Sequence, residues 1–264
     1  MIQNYTPGRM GPRFVLPEAR GLKRLYLRLF GIPDVRAHLT AAHALQELAQ
    51  LPFASVLDVG CGGGAVTCCI AAHHPQCTVV GVDQDEEGIK YASALARQNG
   101  LDRLSFRAAN LERDSLSGKF DLVTCFAVLQ FIRDCPRALR NLNGALVPGG
   151  HLLLQLPSTN RVEYLMKSPR LHRRYPDFHE ARGPFTPAEA RRLVTDNGFT
   201  VVRINEAIKG PSVLAKELFY LTLSFSRAVN QACCPLLNWV TAWDGRYRGH
   251  GNALFVLARK VREV

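Results

Sequence analysis

No stretch of this 264-residue chain reaches the roughly 18 to 20 uncharged apolar residues of a transmembrane helix, so nothing in it reads as a bilayer span. The first 13 residues are basic but lack the apolar segment of a signal peptide, and are expected to form an exposed arm. Acidic residues are scarce: 22 Asp and Glu against 33 Lys and Arg leave a net charge of +11. That excess admits nucleic acid or an acidic membrane surface as a partner, with a solvated basic surface as the competing reading. The basic residues gather near the N-terminus (Arg20, Lys23, Arg24, Arg28, Arg36) and between 161 and 192, where they could equally face an anionic substrate.

Eight cysteines are present, but none of their spacings is a zinc-ligand pattern. The vicinal pairs Cys68-Cys69 and Cys233-Cys234 cannot readily close ordinary disulfides. Most cysteines sit in apolar segments, as buried reduced thiols do, which points to a reducing compartment, most simply the cytoplasm. With 47% hydrophobic residues there is ample material for a core, and the length fits one α/β domain with insertions better than two domains.

Two helices are expected ahead of the core, over 22–30 and 35–51, with Asp34 capping the second. Strand and helix signals then alternate. Strands are expected at Ser55–Val59, 78–82, Leu104–Ala108, 120–125 and 151–156, and helices at 63–73, Glu86–Gln98 and 136–146. Such alternation implies a parallel sheet with right-handed crossovers. Residues 158–183 are polar, basic and irregular, with one short helix expected over 163–167. Thr186-Pro187-Ala188-Glu189 has the form of a capping box with proline at the first helical position, and the helix it opens should run to 196. Strands over 199–204 and 253–260 complete the pattern. Between them, 210–251 is too long to be a plain connection. Its apolar residues recur at helical spacing, either as a core-packing helical pair or as an apolar cap over a pocket or a membrane-surface face.

The most informative residues are Val56-Leu57-Asp58-Val59-Gly60-Cys61-Gly62-Gly63-Gly64-Ala65. An apolar strand runs into a carboxylate, a glycine loop and a helix start. Glycines allow a sharp turn and a close ligand approach, and the helix start offers unpaired N–H groups. Gly60, Gly62 and Ala65 also satisfy the relaxed dinucleotide fingerprint, with Asp83 downstream. Asp58 decides against it, because a carboxylate beside a diphosphate is repelled whereas one beside an ammonium or sulfonium is not. S-adenosylmethionine carries both cations and no diphosphate. The alternative role for Asp58 is to cap a helix or brace the loop.

Three further motifs follow in register: Val79-Val80-Gly81-Val82-Asp83, Phe120-Asp121-Leu122-Val123 and Leu146-Val147-Pro148-Gly149-Gly150. Together with the loop they resemble the class I S-adenosylmethionine-dependent methyltransferases, in the bacterial small-molecule branch that includes quinone-biosynthesis enzymes. The resemblance implies a Rossmann-like, doubly wound, mostly parallel seven-stranded sheet. It also implies an N-terminal arm and helical lid over 1–51 and a methyltransferase domain over 52–264, with substrate-cap insertions at about 158–185 and 210–251. Asp58 would then orient the methionine ammonium, while the backbone of Gly60, Cys61, Gly62 and Gly64 lies against the cofactor. Asp83 would accept from both ribose hydroxyls, as two carboxylate oxygens suit a vicinal diol, with Gln84 near the adenosine. Asn110 would accept from the adenine amino group, and Leu111 would offer apolar contact and a backbone N–H. Phe126 would face the methionine portion, with Arg36 or His38 reaching its carboxylate.

Where many relatives carry a histidine, this chain has Phe131, so no base transfers there. His179 and Tyr175 are the candidate proton acceptors, with surface or packing roles as their alternative. The expected function is methyl transfer from S-adenosylmethionine, leaving S-adenosylhomocysteine, to an O, N or C atom of a small apolar or amphiphilic acceptor. Cys125-Phe126-Ala127-Val128 replaces the Asn/Asp-Pro-Pro-aromatic run of base-amino methyltransferases, which weighs against an RNA substrate. A non-catalytic scaffold and a nicotinamide-dependent dehydrogenase stand as alternatives; metal ligands are not expected, and the oligomeric state is left open.

Overall fold

The computed structural model describes residues 13–165 and 183–261. Its strands are β1 (Ser55–Val59), β2 (Thr78–Asp83), β3 (Leu104–Ala108), β4 (Phe120–Phe126), β5 (Leu146–Pro157), β6 (Phe199–Lys209) and β7 (Gly251–Lys260). They form one seven-stranded sheet in the order β3-β2-β1-β4-β5-β7-β6. Strands β1 to β5 run parallel, and β7 pairs antiparallel with both β5 and β6. The chain winds outward from β1 through β2 to β3, then returns to β4 on the other side. That reversal opens a crevice at the carboxyl ends of β1 and β4, where ligands of open α/β sheets bind.

The helices are α1 (Gly21–Phe30), α2 (Val35–Leu48), α3 (Ala65–His73), α4 (Glu86–Gln98), α5 (Cys135–Ala145), α6 (Pro187–Thr195), α7 (Gly210–Phe225) and α8 (Arg227–Val240). Central strands are apolar on both faces because both faces are covered. One layer packs Leu39, Ile70, Leu95 and Phe219 from α2, α3, α4 and α7 against the sheet; the other packs Leu139, Leu142 and Val194 from α5 and α6. Asp34 caps α2 by accepting from the Arg36 and Ala37 amides, and Thr186 with Glu189 closes the expected capping box. Helix α2 is fixed to β6 by Glu47, which accepts from Arg203 at 2.5 and 2.9 Å and from Asn205 at 2.6 Å.

Three elements depart from expectation. Strand β5 begins at Leu146 and takes in Pro148-Gly149-Gly150, with an irregular register against β4 between Phe120 and Leu122. A Cβ on Gly150 would come within 3.0 Å of the Asp121 and Val147 carbonyl oxygens, so this glycine permits the bulge rather than ending the element. Strand β6 runs on to Lys209, paired with Gly251; as an edge strand its outer residues are polar, which hid its length. No helix forms over 163–165, where the Tyr164 and Leu165 amides donate to the Glu217 carboxylate instead; the remainder of that expected helix lies outside the described residues. Among the described residues no helix is long and apolar enough to cross a membrane.

Candidate functional site

Between β1 and α3 the chain places Gly60, Gly62 and Gly64 at φ of 78°, 50° and 78°, a region open to glycine at little cost. The reasons for glycine differ along the loop. A Cβ on Gly60 would lie 2.1 Å from Val128 Cγ2, and one on Gly64 would lie 2.7 Å from Ala92 Cβ. At these two positions protein packs where a Cβ would stand, so glycine is required there whatever lies against the backbone. A Cβ on Gly62 would meet nothing within 4 Å, although of the three glycines only Gly60 lines the cavity described below.

Asp58 is 2% exposed. Its two oxygens accept from Thr67 of α3 at 2.5 Å and Thr124 of β4 at 2.7 Å, so the bracing role is present. Each oxygen keeps a second lone pair, and the carboxyl also lines the cavity described below. Burial pushes its titration up, the two threonine hydroxyls oppose this, and the Asp83 charge adds to it. A carboxylate taken out of water in this way is relieved by a cation. Asp83, at the end of β2, accepts from the Gly62 amide at 2.8 Å and the Asp85 amide at 2.9 Å. It thereby ties the loop to the strand end with one lone pair per oxygen still open.

Gln84 accepts from Asn110 Nδ2 at 2.9 Å. Asn110 Oδ1 accepts from the Glu112 and Arg113 amides at 2.9 and 3.1 Å. Both its lone pairs are committed to capping this turn, so the expectation that it accepts from an adenine amine is withdrawn. Leu111 is buried with Val82 and Leu116, so its side chain serves the core and only its backbone remains for a ligand. Burial, reinforced by the charges of Asp58 and Asp83, raises the Cys61 thiol and keeps it protonated. Arg36 is held by Asp34 at 3.1 Å and stacks 5.6 and 5.5 Å from the Phe219 and Tyr220 rings. His38 is pushed down to about 4 by burial and by the neighbouring His43, so it is a neutral imidazole at neutral pH.

A cavity of about 420 Å³ starts at Asp58, Gly60 and Cys61 and passes Phe126. Arg161, Lys216 and Tyr220, from the two insertions, also line it. Asp83, Gln84 and Asn110 are not part of its wall; a second void of about 440 Å³ adjoins it through Asp34, Ala37, Cys61 and Val66. Sequence reasoning missed Gln130. It follows β4, is 6% exposed, lines the cavity, and its Oε1 is buried with no hydrogen-bond partner. A polar residue inside Val128-Leu129-Gln130-Phe131-Ile132 was the available signal. Thr40 and Gln155 add a hydrogen-bonded pair at 3.1 Å. Beside them Ala127 holds φ 55°, an uncommon conformation for a residue with a Cβ. His179 and Tyr175 lie outside the described residues. Among the described residues no histidine lines the cavity.

A family model described as a methyltransferase domain matches residues 53–204. The chain is 39% identical over 125 residues to trans-aconitate 2-methyltransferase of Deinococcus radiodurans, covering 47% of this chain and 46% of that protein. It is 32% identical over 174 residues to a ubiquinone biosynthesis O-methyltransferase of Psychrobacter arcticus, covering 62% and 65%. The chain thus spans between about half and two thirds of these curated relatives. Phosphoethanolamine N-methyltransferase 2 of Haemonchus contortus, solved with S-adenosyl-L-methionine, has the same fold at a TM-score of 0.62 and 16% identity, over 84% of this chain and 52% of its own.

Proposed function

This chain belongs to the S-adenosylmethionine-dependent methyltransferase family, and from that premise we propose that it methylates a small amphiphilic acceptor held in the 420 Å³ cavity. The observation that carries the reading is that one void runs from the strand-end carboxylate Asp58 to Lys216 and Tyr220 of the 210–251 insertion. The methyl-bearing part of the donor and the acceptor would meet in one cleft, which is what in-line transfer needs. The residues suit the donor: the Gly60 and Cys61 backbone in the cavity wall, lone pairs on Asp83 for a diol, and the buried Asp58 carboxylate for an ammonium. When bound, the sulfonium supplies an electrophilic methyl group. Phe126 walls the donor's side of the cavity, and Arg36, from the N-terminal helices, suits its carboxylate.

For the acceptor, Val213, Leu156 and Phe131 offer an apolar wall, while Gln130, Arg161 and Lys216 offer polar ends. With no histidine in the described wall, an oxygen acceptor that arrives ionised needs no base. The name of the Psychrobacter relative, an O-methyltransferase, supports oxygen as the target. An RNA substrate is not favoured by a cavity of this size.

Calorimetric titration with S-adenosylhomocysteine, and NAD in parallel, tests the donor. Micromolar binding of the former is expected, weakened on the order of a hundredfold by Asp83→Ala through loss of charge-assisted hydrogen bonds. A screen for transfer of a labelled methyl group to acidic phenols and amphiphilic carboxylic acids then tests the acceptor. Binding of NAD alone would overturn the reading.

A further inference from the structure

Helix α8 buries a mixed face, with Cys234 and Leu237 beside two asparagines, and exposes an apolar stripe. Its inward residues include Asn230 and Asn238, 3% and 8% exposed, and Thr241 is buried in the 3-10 turn that follows. Asn230 is satisfied there by the Phe219 carbonyl at 2.9 Å and Thr222 Oγ1 at 3.0 Å. Its outward stripe is Val229, Leu236 and Trp239, at 45%, 63% and 57% exposed, continued by Trp243 at 45%. The spacing of seven, three and four residues keeps these on one face. Trp239 and Trp243 meet edge to face at 6.2 Å. Scattered exposed apolar residues are ordinary, but a continuous stripe of this kind marks an interaction surface.

Helix α1 touches α8 at one point, where its Tyr26 hydroxyl donates to the Gln231 carbonyl. Only Leu27 of α1 is buried. Its outer surface interleaves Leu22, Leu25 and Leu29 with Arg24 and Arg28, all exposed, while Lys23 is paired with Glu18 at 3.1 Å. Neither α1 nor α8 contains an Asp or Glu. Apolar and cationic side chains mixed on exposed helices, with aromatic residues at their margin, suit the boundary between lipid headgroups and acyl chains. A symmetric pair of copies would instead bring like charges together.

We propose that the joint face of α1 and α8 docks on an anionic phospholipid bilayer. Leu236, Trp239 and Trp243 enter the acyl boundary while Arg24 and Arg28 meet the phosphates. The proposal is independent of what the cavity methylates. Both of the chain's tryptophans lie on this face, so intrinsic fluorescence reports on it alone.

The full chain is titrated with vesicles of phosphatidylcholine, with and without phosphatidylglycerol. A blue shift and protection from acrylamide are expected on the anionic vesicles, falling as salt rises. The double substitution Arg24→Glu/Arg28→Glu should lower the partition coefficient at least about tenfold, and Leu236→Ser should lower it by roughly threefold. Because these side chains are exposed, S-adenosylhomocysteine affinity and thermal midpoint should not move. The proposal is overturned if no vesicle shifts the emission, or if the variants bind as the parent does. It is equally overturned if the shift arises with protein concentration alone and sedimentation shows a dimer.

Discussion

The two ends of the cavity are built differently. Where the donor is proposed to bind, Asp58, the glycine loop, Thr67 and Asp83 fall within one short stretch of sequence joined by Thr124 of β4, and each carboxylate oxygen already holds a protein hydrogen bond. At the acceptor end, Thr40, Gln130, Gln155, Arg161, Lys216 and Asn252 arrive from six separate segments, and one buried amide oxygen has no partner. A prearranged site that satisfies itself binds a fixed ligand. One assembled from distant segments and left with an unmet polar atom is where members of a fold differ in what they act on. Helix α2 is part of both, and its ties to Arg203, Asn205 and, through His43, to Asp244 at 3.0 Å hold the ends in register.

The sharpest way to break this contrast is inside the glycine loop. Gly60→Ala sets a methyl group against Val128 at an unfavourable φ, and should cost at least about 3 kcal/mol in chemical denaturation. Gly62→Ala meets no neighbour, and should cost only about 1 kcal/mol while weakening S-adenosylhomocysteine roughly tenfold or more. Equal losses of stability, or an unchanged affinity in Gly62→Ala, would show that the loop is not divided between packing and binding.

The donor end was legible because its residues are contiguous and their chemistry is local. The glycine loop, Asp83 at a strand end and the cap at Asp34 each declare themselves within a few residues. What escaped needs tertiary information. Thr67 and Thr124 look like incidental hydroxyls in apolar runs until α3 and β4 bring them onto Asp58. Gln130 looks like a polar break in a turn until β5 and α7 close a wall around it. Asn110 misled because its residue type suits two partners, and the nearer one, its own backbone turn, took it. The reading of 210–251 expected a helical pair but could not say which face each buries, since α8 places its asparagines inward and Trp239 outward.

A smaller effect separates the ends at Gln130. Gln130→Met keeps the length and removes an unpartnered buried amide, so stability should hold to within about 1 kcal/mol. Affinity for S-adenosylhomocysteine should be unchanged, while kcat/KM for the acceptor falls by about tenfold. Loss of cofactor affinity instead would place Gln130 at the donor end.

The smallest effect concerns the one group that touches both roles of the donor end. Burial raises the Asp58 carboxyl above its ordinary range despite the two threonine donors, and the Asp83 charge adds to that rise. The folded value lies above the unfolded one. The ligand-free fold therefore loses stability as pH climbs from the unfolded value through the folded one, where Asp58 ionises in a buried site. An ammonium beside it favours the ionised form, so affinity for S-adenosylhomocysteine should rise with pH across that window, by up to about tenfold per unit, and level off above it. Protons should be released on binding, seen as a dependence of the calorimetric enthalpy on buffer ionisation. Methylthioadenosine, which keeps the nucleoside but has no ammonium, should bind without that pH dependence. If both ligands titrate alike, the charge that matters lies at the ribose end with Asp83, and Asp58 is only the brace between Thr67 and Thr124.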